Sequence, residues 1–137
     1  MTMAHGPKAL VITAPGINCD LELAASFAAA GAEPETVLLS ELLRDPARVD
    51  RYRLVGLPGG FSYGDDIAAG RIMGALMRRS LYPALAAAIE RGVPMICPCN
   101  GFQIAVQAGL LPGPAAGAPW PADAAAPTVA LSQNAGG

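Results

Sequence analysis

The chain has 137 residues, enough for one domain with a real core and too few for two ordinary ones. Hydrophobic residues make up 53% and charged residues 15%, with a formal net charge of −2 and the Lys and Arg residues scattered, which excludes the basic footprint of a nucleic-acid binder or a polybasic membrane anchor. Apolar runs such as Leu81 to Ile89 fall short of a membrane span, the run from Ala9 to Thr13 is too short for a signal peptide, and three cysteines give no disulfide framework, so a reducing, cytoplasmic setting is expected.

Lys8 to Thr13 reads as a continuous apolar strand of the kind buried on both faces of a parallel sheet. Pro15-Gly16 turns the chain, and Asp20 is placed to cap a helix through about Ala30, which Gly31 ends. Leu23, Phe27 and Ala30 repeat at helical spacing and mark its core face. Thr36 to Leu39 is a second strand, and Ser40 can cap a short helix over Glu41 to Arg44. Leu54 to Leu57 is a third strand, running into Pro58-Gly59-Gly60. After a long Gly-rich loop a helical pattern extends from roughly Ile67 to Arg91, split or restarted at Pro83. Pro94 to Cys97 is a fourth strand, followed by a tight turn and a helix over Gly101 to Ala108. Strands alternating with helices at this spacing predict a doubly wound, mostly parallel α/β sheet. Residues 111–127 are rich in Pro, Ala and Gly and read as an extended surface loop pinned by Trp120, and Thr128 to Leu131 as a final short strand.

The densest chemical signal is Cys97-Pro98-Cys99-Asn100-Gly101-Phe102-Gln103, at a strand-to-helix junction. A nucleophile on such a junction sits on a sharp turn at the C-terminal edge of the sheet, exposed, with backbone N–H groups nearby to bind an oxyanion. The small Gly101 suits the close passage of strand and helix, and the helix N-terminus favours thiolate over thiol. Taken singly, each residue also has a plainer reading. Cys99 is then a packed cysteine, Gly59-Gly60 a tight turn, Asp65-Asp66 a solvated helix cap, Cys19 packing at a helix start, and Gln103 an ordinary helix residue. A redox or metal role for Cys97-Pro98-Cys99 is disfavoured, because a disulfide across one residue is strained and no Cys/His cluster completes a metal site.

Cys99-Asn100-Gly101-Phe102-Gln103 resembles the nucleophile motif of class I (triad-type) glutamine amidotransferases. Leu57-Pro58-Gly59-Gly60-Phe61-Ser62-Tyr63-Gly64-Asp65-Asp66, with Ala69-Gly70 after it, narrows the resemblance to the glutaminase subunits of phosphoribosylformylglycinamidine synthase, and Pro15-Gly16-Ile17-Asn18-Cys19-Asp20 fits the same family. The likeness covers about Lys8 to Gly113, and more weakly Thr128 to Gly137. It implies a flavodoxin-like sheet, with residues 1–137 forming the N-terminal portion of a single amidotransferase domain. It further implies that Cys99 attacks the side-chain amide of glutamine to give a γ-glutamyl thioester and ammonia. The backbone N–H groups of Gly60 and Asn100 would stabilise the oxyanion, and Gln103, Gly59 and Phe61 would hold the substrate. The ammonia would pass to a synthetase subunit that makes formylglycinamidine ribonucleotide from formylglycinamide ribonucleotide in purine biosynthesis, with room for a small accessory subunit. ATP and magnesium are expected on that synthetase, with no cofactor or metal in this chain.

The sequence departs from the family in two places. Cys97 stands where the family has Gly two residues before the nucleophile, and Pro98 fixes φ and removes an N–H. The family's His and Glu lie far downstream of the nucleophile, whereas the one histidine here is His5, in the leading tail. The expectation is a C-terminally incomplete fold, inactive by itself because the base of the triad is absent. The alternative expectation is a non-catalytic module that docks on the synthetase.

Overall fold

The computed structural model describes residues 5–136; residues 1–4 and Gly137, the ends of the expected 1–137 domain, lie outside it. Strands β1 (Lys8–Thr13), β2 (Glu33–Leu38), β3 (Leu54–Gly56) and β4 (Met95–Ile96) are joined in parallel, in the order β2-β1-β3-β4. The reason β1 lies inside is its composition. Ala9 to Ile12 are all fully buried, so neither face of this strand has anything to offer water. Ala9 and Val11 point to one face, where Leu23 and Phe27 of α1 (Asp20–Ala29) cover them. Leu10 and Ile12 point to the other and join Val55 and Leu57 in the main core.

That second face is covered by α3 (Arg71–Ser80), α4 (Tyr82–Glu90) and α5 (Asn100–Ala108), through Met73, Met77, Leu85, Ile104 and Ala108, while α2 (Leu39–Arg44) closes its rim with Leu39 and Leu42. Helices on both faces of a parallel sheet make this an α/β fold of the doubly wound kind. Pro83 restarts the helix rather than bending it, since it is the second residue of α4, where its missing N–H costs nothing. Among the described residues no helix is long and apolar enough to cross a membrane.

Three expectations from the sequence need correction. Asp20 is the first residue of α1, Cys19 precedes it, and no side chain caps the helix. Ser40 is likewise inside α2, because β2 runs into that helix at Leu39 with no residue left over for a cap. Thr128 to Leu131 forms no strand. The residues before it are held against α3, where the Arg78 guanidinium donates to the Ala124 carbonyl at 3.2 Å and to that of Ala125. Thr128 and Val129 consequently line a cleft with Tyr82, Val106 and Pro112. The Pro/Ala-rich loop before it is irregular, as expected. Its Trp120 N–H donates to Glu90 Oε1 at 2.8 Å, and the indole packs on the core.

The start of α5 lies tightly against the residue that follows β3. A β-carbon on Gly101 would collide with the Leu57 carbonyl oxygen and lie 3.2 Å from its Cβ. Backbone, unlike a flexible side-chain end, has little room to retreat, so Gly101→Ala is expected to lower stability by about 1–3 kcal/mol in urea denaturation. A variant as stable as the parent would mean that α5 is free to lift from the sheet.

Candidate active site

Parallel strands all deliver their following loops to one edge of the sheet, and that edge is where such sheets bind ligands. Here three segments meet on it: Ala14 to Cys19 after β1, Leu57 to Gly70 after β3, and Cys97 to Cys99 after β4. The first two are clasped by backbone hydrogen bonds. Cys19 N–H donates to the Gly59 carbonyl at 3.2 Å, Phe61 N–H to Gly16 at 2.9 Å, and Tyr63 N–H to Pro15 at 2.6 Å. Gly60, at the centre of the clasp, has φ +139°, and a β-carbon there would sit 2.7 Å from the Asn18 nitrogen. Only glycine fits.

Cys99 lies in the turn between β4 and α5 with φ +53° and ψ −118°. A side-chain-bearing residue held there stores roughly 1–3 kcal/mol of strain, and the return on it is direction, because the thiol side chain is exposed at the sheet edge, at the N-terminus of α5. Among the described residues the N–H groups of Gly60 and Asn100 donate to no backbone carbonyl. They are available to an oxyanion.

The turn is tied to the Gly-rich loop by the Asn100 side chain, which is 1% exposed. Its Oδ1 accepts the Ser62 N–H at 3.1 Å, while its Nδ2 donates to Gln103 Oε1 at 2.9 Å and Asp65 Oδ1 at 3.3 Å. Asp65 Oδ1 also accepts the Gly70 N–H, at 3.4 Å, where α3 begins. The expected site residues therefore fall into two groups. Cys99, Gly59, Gly60, Asn100 and Gln103 are brought together, with a notional Gly59 β-carbon 3.5 Å from Cys99 Cβ. The Phe61 side chain, 62% exposed, stands outside this network. Asp65 is not merely a solvated cap, since it also braces Asn100. The Asn100 side chain, Ser62 and Asp65 were not separable in the sequence from any other polar loop residues, and only the tertiary pairing reveals them. The sole histidine is remote. His5 precedes β1 and its Nδ1 pairs with Glu33 Oε1 at 2.6 Å, roughly a 20 Å strand length from the edge that carries Cys99.

Cys97, two residues before the nucleophile candidate, behaves differently from it. It is half-buried against the main core, and burial pushes its thiol up to about 11, with a weaker opposing pull from the Leu57 backbone. A thiol held protonated is neither nucleophile nor metal ligand near neutral pH. Among the described residues no three His, Cys, Asp or Glu side chains converge as a metal site.

Comparison with known proteins finds a family and several relatives. The family profile of the CobB/CobQ-like glutamine amidotransferase domain matches residues 6–136. A phosphoribosylformylglycinamidine synthase subunit PurQ from Dehalococcoides mccartyi is 43% identical over 107 residues, which are 78% of this chain and 42% of the relative. The PurQ subunit from Thermotoga maritima is 39% identical over 107 residues, 78% of this chain and 46% of the relative. A chain in the structure of PurLQS from Thermotoga maritima superposes with a TM-score of 0.61 at 38% identity, covering 79% of this chain and 47% of that one. The chain thus spans less than half the length of these relatives.

The contrast between the cysteines is measurable. At pH 8 a thiol of pKa near 11 carries about 200-fold less thiolate than an ordinary one. Iodoacetamide is therefore expected to modify Cys99 and Cys19 well before Cys97, as followed by peptide mass spectrometry. Cys97 keeping pace with Cys99 would show that the core does not shield it.

Proposed function

The chain belongs to the CobB/CobQ-like glutamine amidotransferase domain family, and we propose that it forms the nucleophile-bearing half of a glutaminase that feeds ammonia to a phosphoribosylformylglycinamidine synthase. The observation that supports this most directly is the strained Cys99, exposed beside the unspent N–H groups of Gly60 and Asn100. In this reading the Cys99 thiolate attacks the carboxamide carbon of glutamine. The carbonyl oxygen becomes an oxyanion held between the two N–H groups, each worth on the order of 100- to 1,000-fold in rate. Collapse expels ammonia and leaves a γ-glutamyl thioester, which water hydrolyses to glutamate and the free thiol. Gln103, Gly59 and Phe61 are the substrate-holding candidates. Asn100 has two roles, its N–H as oxyanion donor and its side chain as the brace that keeps the Gly60 loop against the nucleophile turn.

The proton transfers need a base. Among the described residues no imidazole faces Cys99, since His5 is occupied with Glu33 at the far edge. Loss of the histidine from a catalytic triad costs on the order of 10⁴-fold or more, so these residues by themselves are proposed to bind glutamine and react slowly rather than turn over. The synthetase subunit, with its ATP and magnesium, is the proposed acceptor of the ammonia, the cytoplasm the proposed setting, and residues 5–136 part of one amidotransferase domain. A second reading, a non-catalytic module that docks on the synthetase, is favoured by the lack of an imidazole facing Cys99 among the described residues.

A diazoketone analogue of glutamine separates the two, because it alkylates a competent nucleophile without needing turnover. Labelling confined to Cys99, suppressed by excess glutamine and absent in Cys99→Ala, is expected. Glutaminase activity should then appear when the chain is extended with the C-terminal half of the Dehalococcoides mccartyi relative. Failure of the analogue to label Cys99 in either form leaves only the docking module.

Weakening the brace should be visible in the same extended protein. Asn100→Ala is expected to lower kcat/KM for glutamine about 10- to 1,000-fold, with the larger part in kcat, since oxyanion donors act in the transition state. A pure KM effect would place Asn100 in substrate binding instead.

A further inference from the structure

The glycine at position 59 is not explained by its backbone. Gly60 beside it needs a positive φ and has no space for a side chain, but Gly59 lies outside the left-handed region, and a β-carbon on it would meet only ordinary contacts. Those contacts are informative. The nearest atoms are Cys99 Cβ at 3.5 Å and Cys19 Cβ and Sγ, each at 3.7 Å. Gly59 thus leaves a methyl-sized space bordered by both cysteines. Both are exposed and not disulfide-bonded, and the Cys19 N–H donates to the Gly59 carbonyl at 3.2 Å, which holds the two segments together. The Cys19 thiol makes one local hydrogen bond, to Asn18 Oδ1 at 3.3 Å. Cys97 is nearer in sequence but is ruled out as a partner by its core position, its protonated thiol and the strain of bridging a single intervening residue.

We propose that Cys19 is the resolving cysteine of Cys99, so that peroxide converts the site into a reversible disulfide across Gly59. The Cys99 thiolate attacks hydrogen peroxide, breaking the O–O bond and giving sulfenic acid and hydroxide, which takes a proton from solvent to become water, with the sulfur oxidised by two electrons. The Cys19 thiol then attacks that sulfur. An S–S bond forms, the S–O bond breaks, and the departing hydroxide takes the thiol proton to leave as a second water. The disulfide masks the nucleophile, and exchange with a small thiol such as glutathione regenerates both groups. Without a resolving thiol, sulfenic acid advances to sulfinic acid, which thiols do not reverse. This oxidation depends on the geometry of the two thiols and not on glutamine chemistry, so it stands apart from the glutaminase assignment.

The test treats the native 137-residue chain with hydrogen peroxide, blocks free thiols with N-ethylmaleimide, and maps non-reduced peptides by mass spectrometry. The expected product is an intramolecular Cys19–Cys99 crosslink that dithiothreitol reverses. In Cys19→Ser the same dose should drive Cys99 to sulfinic acid, beyond rescue by dithiothreitol. Gly59→Ala fills the gap and should slow crosslinking about tenfold or more. A Cys97–Cys99 bridge, disulfides only between molecules, or sulfinic acid on Cys99 in the parent while Cys19 stays free would each overturn the proposal.

Discussion

Everything at the site depends on how closely α5 can lie against the end of β3. The helix N-terminus reaches the sheet because residue 101 presents no side chain to the Leu57 carbonyl. That contact fixes where α5 begins, and so fixes where the chain must reverse. With β4 ending at Ile96 and α5 starting at Asn100, only Cys97 to Cys99 are left to turn the backbone through the reversal. The strain concentrates on Cys99 because it is the last of them. Its unusual φ is thus a geometric remainder, set by the packing on either side of it.

Strain survives only where its surroundings over-determine it, and here the surroundings are polar. Asn100 is buried and uses both ends of its amide, accepting from the Gly-rich loop and donating to Asp65 and Gln103. A buried amide of this kind stabilises one arrangement sharply, because any shift of the loop leaves its donors and acceptor unsatisfied. The clasp between Pro15-Gly16 and Phe61 to Tyr63 acts similarly from the other side. The Gly60 and Asn100 N–H groups, which belong to different segments, therefore hold a fixed separation without any bound molecule.

Much of this was legible in the sequence, for identifiable reasons. β1 and the core face of α1 announce themselves, since an unbroken Ala9-Leu10-Val11-Ile12 run and a Leu23/Phe27 spacing admit few other burials. The sharp turn at Cys99 was legible because glycine and asparagine at set offsets from a cysteine are a local constraint. What the sequence could not convey is tertiary pairing. Nothing in the string distinguishes Asp65, which braces Asn100, from Asp66, which faces solvent. The β-branched pair in Thr128 to Leu131 suggested a strand, but propensity without a partner yields none, and the Arg78 tether carries that segment elsewhere. Pro34 masked the first half of β2. A proline fits there because β2 is an edge strand.

The two edges of the sheet are finished differently. On β2 the outer edge carries Glu33, Pro34 and Glu35, the charge-and-proline combination that discourages pairing with another molecule. The β4 edge has no charge, yet its strand is only two residues long and is bracketed by Pro94 and Pro98. Since the Pro94 and Ile96 carbonyls turn inward to β3, the peptide groups left facing outward are those of Met95 and Cys97. An incoming strand could find only that short footing before proline interrupts it. Among the described residues, Pro94 before the strand and Pro98 in the turn after it thus limit what this uncharged margin offers to those two peptide groups.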